Sequence, residues 1–365
     1  MKKTVNLIAM AFVMALVLTH AMAGASDKPN VVLIVCDDLN DYITGIPGQA
    51  GHSQAKTPNV EKLAQSGVAF RRAYSNNPVC APSRSSFLTG IYPHTSGNLF
   101  WNKWFHNPVL KNSKTIMEHF HDNGYHVVGS GKLMHHFKKE VWPEFAHKAD
   151  YGPFVYDGKK KIAHPSVPKP FGDIGAVDGS FGSLLDVPFA DDGNPESGWI
   201  YGGWSKKVKP LKYTSSKDRD PTPDERNAAW AEKRIRQFAV EKDDHPFFLA
   251  VGFIRPHTPL HVPQKYFDRF PLKDVELPVI KANDAADTHY TDVFNKDMKG
   301  LKYFRLLKES YPDMEAGIKA FTQAYLASVA AVDECIGQVV DAVDNSPFKD
   351  NTIIIVTSDH GWQMG

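Results

Sequence analysis

Cysteine is scarce in this chain: three in 365 residues, Cys36, Cys80 and Cys335. A count that low and odd excludes a disulfide framework. Net charge is nearly absent as well. Forty-two basic and 41 acidic residues leave +1, so no global field favours nucleic acid or an anionic membrane. Long apolar runs are also few. The run from Leu7 to Leu18 follows Lys2 and Lys3 and precedes the small residues Ala21-Met22-Ala23 and Ala23-Gly24-Ala25. That layout reads as a signal peptide over residues 1–25, its apolar run short and wrongly flanked for a membrane span, with a retained N-terminal anchor as the other reading. The mature protein is therefore expected to be exported, to the periplasm or beyond.

Four apolar runs each end in polar, chemistry-bearing residues. Val31 to Cys36 runs into Asp37-Asp38, and His126 to Gly129 leads through Ser130-Gly131 to Lys132, with His135 and His136 behind it. Phe247 to Val251 leads to Arg255-Pro256-His257, and Thr352 to Thr357 leads to Asp359-His360. Continuous apolar runs between polar turns suggest strands buried on both faces, the habit of parallel sheets. Helical patterns lie between them. One opens at Thr57-Pro58 and closes at Gly67, and a charged one spans Pro223 to Val240. Ile318, Phe321, Tyr325, Val329, Val332, Ile336, Val339 and Val343 keep helical spacing. The alternation implies an α/β fold, a mostly parallel sheet with helices on both faces. Ligand crevices in such sheets lie at the carboxyl ends of the strands, so the four polar clusters should converge there.

Cys36 ends a strand-like run and Cys335 lies in a helical one, so both read as core packing. Cys80 differs: in Cys80-Ala81-Pro82-Ser83-Arg84 it stands in a polar, loop-like setting. It either carries chemistry or packs as a small hydrophobe before a helix that Pro82 opens. Asp37-Asp38 and Asp359-His360 read as metal ligands. Adjacent carboxylates just past a buried strand are costly unless a cation resolves their repulsion. Oxygen-rich ligation favours calcium or magnesium over zinc. The other reading of Asp37 and Asp38 is that they cap the following loop or helix.

The pentapeptide resembles the Cys-x-Pro-Ser-Arg signature at which sulfatases have a cysteine oxidised to formylglycine. Asn30 to Asp38, Thr57-Pro58-Asn59, Cys80 to Thr89-Gly90, Gly131-Lys132, Pro246 to Pro259 and Ser358-Asp359-His360-Gly361 also occur in sulfatase order. The wordings Cys-Ala-Pro-Ser-Arg, Gly-Lys-x-x-His, Arg-Pro-His-Thr-Pro and Ser-Asp-His-Gly-Trp resemble the iduronate-2-sulfatase branch most. The resemblance implies an alkaline-phosphatase-like core, one bound calcium ion, and a maturation enzyme that converts Cys80 to formylglycine. The aldehyde hydrate offers two hydroxyls on one carbon: one attacks sulfur, and the other later expels sulfate as the aldehyde re-forms.

The same resemblance assigns roles. Cys80 becomes the nucleophile and a metal ligand, with Asp37, Asp38, Asp359 and His360 as the other ligands. Many relatives carry asparagine where His360 stands, which makes that ligand the odd one. Arg84 would hold the hydrate, its planar fork suiting such oxygens better than lysine. Lys132 would bind a sulfate oxygen, and His257 would contact sulfate and help protonate the leaving alcohol. His135 would take the proton as sulfate leaves the hydrate; His136, one residue out of register, is the alternative. Residues 26–365 would form the N-terminal catalytic domain, incomplete at its C-terminal end. A smaller C-terminal domain and a second sulfate-binding lysine are expected beyond Gly365, so weak or no activity is expected of residues 1–365 alone.

Export and this branch point to sulfated carbohydrate as substrate, with no nucleic acid and no stable membrane span. The aromatic stretch Asn98 to His106 suits sugar rings, or packs as core beneath its loop. Residues 143–222, rich in Gly, Pro, Asp and Lys, show little periodicity and read as a long loop. Within it Lys206, Lys207, Lys209, Lys212 and Lys217 either steer a sulfated polymer or form a solvated face. Two rivals remain: a phosphomonoester or phosphonate hydrolase of the same superfamily, and a non-catalytic sulfated-glycan binder whose Cys80 is never oxidised.

Overall fold

The computed structural model of the chain describes residues 28–46, 51–185, 187, 197–202, 208–241, 243–281, 299–362 and 364. The leader at 1–25 and Lys206 and Lys207 lie outside these residues. Five strands build the central sheet: β1 (Asn30–Asp37), β2 (His126–Gly131), β3 (Glu144–Lys148), β4 (Phe247–Pro256) and β5 (Thr352–Ser358). Their order is β5-β1-β4-β2-β3, and every pairing is parallel. Five helices of seven or more residues bear on the site and its sheet: α1 (Pro58–Ser66), α2 (Cys80–Thr89), α3 (Ile116–Asp122), α4 (Pro223–Val240) and α5 (Met314–Asp344).

Successive side chains of a strand point to opposite faces, and β1 uses both. Val32, Ile34 and Cys36 pack against Ala228, Ala231 and Ile235 of α4 and Val332, Ile336 and Val339 of α5. Val31, Leu33 and Val35 pack on the other face with Leu88 of α2, Met117 of α3 and Trp104. The helices begin where the sequence supplies caps. Thr115 with Glu118 and Thr222 with Glu225 form capping boxes at α3 and α4, and Asp313 caps α5 through Ala316 N–H. Among the described residues no helix is long and apolar enough to cross a membrane.

Three expectations need correction. The stretch 143–222 is not one long loop. It supplies β3 and a four-stranded antiparallel sheet of Phe154–Tyr156, Lys161–Ile162, Gly198–Tyr201 and Lys209–Pro210. Strands of two to five residues are too short to display a period. β5 is not buried on both faces. It is a sheet edge, where Ile354 and Val356 reach the core while Ile353 is 50% exposed. Cys80 is not on a loop: it is the first residue of α2 and is buried. Pro82 falls in the first turn, where a missing N–H costs nothing.

β2 and β4 approach so closely at the site that side chains are excluded. A Cβ on Gly131, whose φ is +83°, would lie 1.9 Å from the carbonyl oxygen of Gly252. The glycine thereby lets Lys132 N–H reach that same oxygen, at 3.0 Å. Gly131→Ala should destabilise the chain by about 2 kcal/mol or more through combined clash and backbone strain. Urea denaturation monitored by circular dichroism measures it, and an unchanged midpoint would contradict the packing.

Candidate functional site

β1 delivers Asp37 and Asp38 at the end of its pairing with β4, where the register shifts between Cys36 and Asp37. Asp38 takes φ of +61°, the only positive φ at a non-glycine among the described residues. Such a conformation persists where surrounding contacts enforce it. The hydroxyl of Tyr325, from α5, donates to the Asp38 carbonyl at 2.7 Å and accepts from Asn40 N–H at 3.0 Å. The Asp38 N–H donates to Asp359 Oδ1 at 3.1 Å. Across the β1–β5 pair, Ser83 and Ser75 hydroxyls hold the Asp359 carbonyl at 2.5 and 2.8 Å.

Cys80 and Arg84 stand four residues apart and so share one face of α2. The Arg84 guanidinium is buried and uses every edge. Nε donates to Asp359 Oδ2 at 3.0 Å, and Nη2 to Asp37 Oδ1 at 2.9 Å. Nη1 donates to the carbonyls of Lys132 and Leu133. Lys132, just past β2, pairs with the second oxygen of Asp37 and lies 4.6 Å over the Tyr151 ring. Past β4, His257 Nδ1 lies 2.5 Å from the Thr258 carbonyl. That contact makes Nδ1 the donor and leaves Nε2 bare, 3.8 Å from Asp38 Oδ2.

Asp37, Asp38, Cys80 and His360 each offer a ligand atom, all within 4.8 Å of one another. Cys80 Sγ is 3.1 Å from His360 Nε2. Asp359 stands beside this group of four rather than in it. Its Oδ1 accepts from the backbone of Asp38 and His360, and its Oδ2 from Arg84. Asp38 Oδ1 is the telling atom. His360 Nδ1 lies 3.1 Å away but out of line for a hydrogen bond, and this buried oxygen has no hydrogen-bond partner. Burial, then repulsion by Asp37 and Asp359, pushes the Asp38 carboxyl well up. Burial also raises Asp359, against the pull of Arg84. At Asp37 burial is outweighed by Lys132 and then Arg84, which hold it well below the usual range. A buried acid with an unpartnered oxygen beside two more carboxylates fits a divalent cation.

The two histidines after Lys132 differ. Burial and then Lys132 push His135 down to about 3, and its Nδ1 is buried with no partner. His136 is shifted down by burial and then by Lys103, with no contribution from Lys132 or the carboxylates of the site. The aromatic stretch divides. Trp104 is core, its indole N–H donating to the His136 carbonyl at 3.2 Å. Phe100 and Trp101 are exposed, and the Trp101 ring lies 4.8 Å from that of His135. Of the lysines described, Lys209 lies over Tyr201 and Lys212 pairs with Asp218.

Three contributors carry no signal in the sequence pattern. Tyr151 packs between Lys132 and His257, its ring 5.2 Å from the imidazole. Asp178 accepts from the Thr258 hydroxyl at 2.9 Å. Asp224, at the start of α4, accepts the N–H groups of Ile254 and Arg255 at 2.8 and 2.9 Å and so anchors the end of β4. An aspartate two residues after a capping threonine reads as helix-start chemistry, which hides that second task.

A family model described as Sulfatase matches residues 29–365. A protein of Formosa agariphila named sulfatase is 33% identical over 357 residues, covering 93% of this chain and 60% of that protein. The iduronate 2-sulfatase of Mus musculus is 29% identical over 364 residues, covering 94% of this chain and 56% of that protein. The chain thus spans between half and two thirds of the length of these relatives. Among solved structures, the phosphonate monoester hydrolase of Silicibacter pomeroyi superposes with a TM-score of 0.60 at 20% identity, covering 93% of this chain and 63% of that one. That likeness bears on the fold, a mostly parallel sheet of the alkaline-phosphatase kind.

The raised Asp38 and Asp359 carboxyls set the sign of a pH effect. Their folded pKa values lie above the ordinary 3.8, so these two groups cost the chelated protein stability as pH rises through those raised values and return it on acidification, while Asp37, held well below that range, acts in the opposite sense. A divalent cation should raise the thermal midpoint at neutral pH, with the gain shrinking as pH falls. Asp38→Asn should stabilise the chelated chain at neutral pH and remove most of the cation response. Scanning fluorimetry with and without chelator checks both, and a full response in Asp38→Asn would move the cation elsewhere.

Proposed function

The chain belongs to the sulfatase family, and from that premise we propose that it hydrolyses sulfate esters of carbohydrates with an oxidised Cys80 as nucleophile. One observation carries this reading: Cys80 and Arg84 of α2, Lys132 past β2, Asp37 and Asp38 from β1 and Asp359 past β5 crowd into one buried cluster. As a thiol, Cys80 is a poor nucleophile there. Burial, then Asp37, pushes it far above the usual thiol range, so it stays protonated. Matured to the formylglycine hydrate, the same carbon would supply one hydroxyl to attack sulfur and another to expel sulfate. One calcium ion held by Asp37, Asp38, Asp359, His360 and the matured Cys80 would polarise the sulfate oxygens.

The chain's own residues account for the rest. Arg84 orients the nucleophile from the same helix face while fixing Asp37 and Asp359. Burial works against the charge on Lys132, but Asp37 keeps it well above its ordinary pKa, so it stays cationic for a sulfate oxygen. His135 is a neutral base at neutral pH, ready to take the hydrate proton. Burial lowers His257 to about 4, although Asp37 pulls the other way. A sulfate anion beside Nε2 would favour the imidazolium and so give the leaving alcohol its proton.

The sugar assignment rests on exposed Phe100 and Trp101 beside His135, and on relatives named for iduronate sulfate. Export behind residues 1–25 and a formylglycine-generating maturation enzyme complete the proposal. In the whole protein, mass spectrometry should find the Cys80 peptide lighter by the difference between CH2SH and CHO. Lys132→Ala should lower kcat/KM for a sulfated disaccharide by about 10²–10³-fold. His257→Ala should lower it by about 10²–10⁴-fold, least for substrates with good leaving groups. Full activity with an unmodified Cys80 thiol would overturn the reading.

A further inference from the structure

The opposite end of the sheet holds a different set of donors. His126 opens β2 and pairs in register with Phe247 of β4. The segment between α4 and β4 therefore arrives beside it, and His126 N–H donates to the Pro246 carbonyl at 2.9 Å. His126 Nε2 lies 2.6 Å from Asp243 Oδ2, and His245 Nδ1 lies 2.6 Å from Asp243 Oδ1. The His245 N–H also donates to Asp243 Oδ1, at 3.0 Å, which fixes the carboxylate between the two rings. The rings are 5.6 Å apart and nearly perpendicular. One atom from each of the three residues falls within 4.8 Å of the others.

We propose that His126, Asp243 and His245 form a second metal site, for a borderline transition-metal ion of the zinc class. Two imidazole nitrogens and one carboxylate are the donor set such ions take, and calcium disfavours it. Both rings already aim a nitrogen at the shared carboxylate, so a cation entering there replaces hydrogen bonds with bonds to itself. All three side chains are at least 40% exposed, which leaves the outer side open for water to complete the coordination shell. The ion would clip the segment after α4 to the first residue of β2. The six residues of β2 put it about 20 Å from the candidate active site, so it takes no part in ester chemistry.

The test is calorimetric titration of the untagged whole protein with Zn2+ in excess Ca2+, alongside His126→Gln/His245→Gln and, as a second variant, Asp243→Asn. The wild type should bind one Zn2+ and gain thermal stability, and each variant should bind it more than about tenfold more weakly. Both variants should keep the parent's circular dichroism and sulfate-ester hydrolysis. Absence of Zn2+ binding in the wild type, or wild-type affinity in a folded variant, would overturn the proposal. The readout is heat of binding, so it stands or falls separately from the sulfatase reading.

Discussion

The buried guanidinium of Arg84 is the contact on which the site depends. It joins Asp37 at the end of β1, Asp359 just past β5 and the carbonyls that follow β2, segments scattered over more than 320 positions of the chain. Removing one partner from such a buried network leaves a charge with neither water nor counter-ion, a loss of about 3–5 kcal/mol. The charge count is as informative as the geometry. When ionised, Asp37, Asp38 and Asp359 set three negative charges against the two positive ones of Arg84 and Lys132, all almost fully buried. The remaining negative charge is the one expressed at Asp38, whose oxygen lacks a partner. A divalent cation bound there would turn a deficit of one into a surplus of one, the sign that suits an anionic ester.

Much of this arrangement was legible because parallel strands put chemistry at one end. Each apolar run was long enough to identify, and the polar pair after it was conspicuous. Helix boundaries at Pro58, Pro223 and the long repeat from Ile318 to Val343 were equally open, since caps and spacing are local signals. β3 was not legible: Glu144 to Lys148 alternates in burial over five residues, inside a stretch of mixed composition. Nor were Tyr151 and Asp178, which act through three-dimensional neighbours, a cation over a ring and a hydroxyl. The second task of Asp359 was not legible either: its oxygens accept from two backbone N–H groups and from Arg84, partners far away in sequence or invisible in a side-chain pattern.

The two ends of the sheet differ in donor chemistry for a structural reason. At the carboxyl ends of the strands Asp37, Asp38, Lys132 and Asp359 are buried, and short carboxylates dominate. At the amino end of β2 and β4 the segment after α4 returns over open surface, where long rings reach one another without desolvation. A dry site with two carboxylates and a wet one with two imidazoles would select different cations from the same solution.

The position of Cys80 sets a condition on whatever group acts there. It opens α2, where the helix dipole favours negative charge by up to about 1 kcal/mol. That is outweighed: burial and then Asp37 push the thiol far up, with Asp359 and Asp38 adding to the effect. A nucleophile in this place must therefore be neutral until a cation offsets the carboxylates, and must not depend on a low pKa of its own. A carbon bearing neutral hydroxyls meets that condition; a thiolate does not. The same carboxylates that disfavour a thiolate are the groups that would gather the cation, so hostility to one nucleophile and suitability for the other share a single cause.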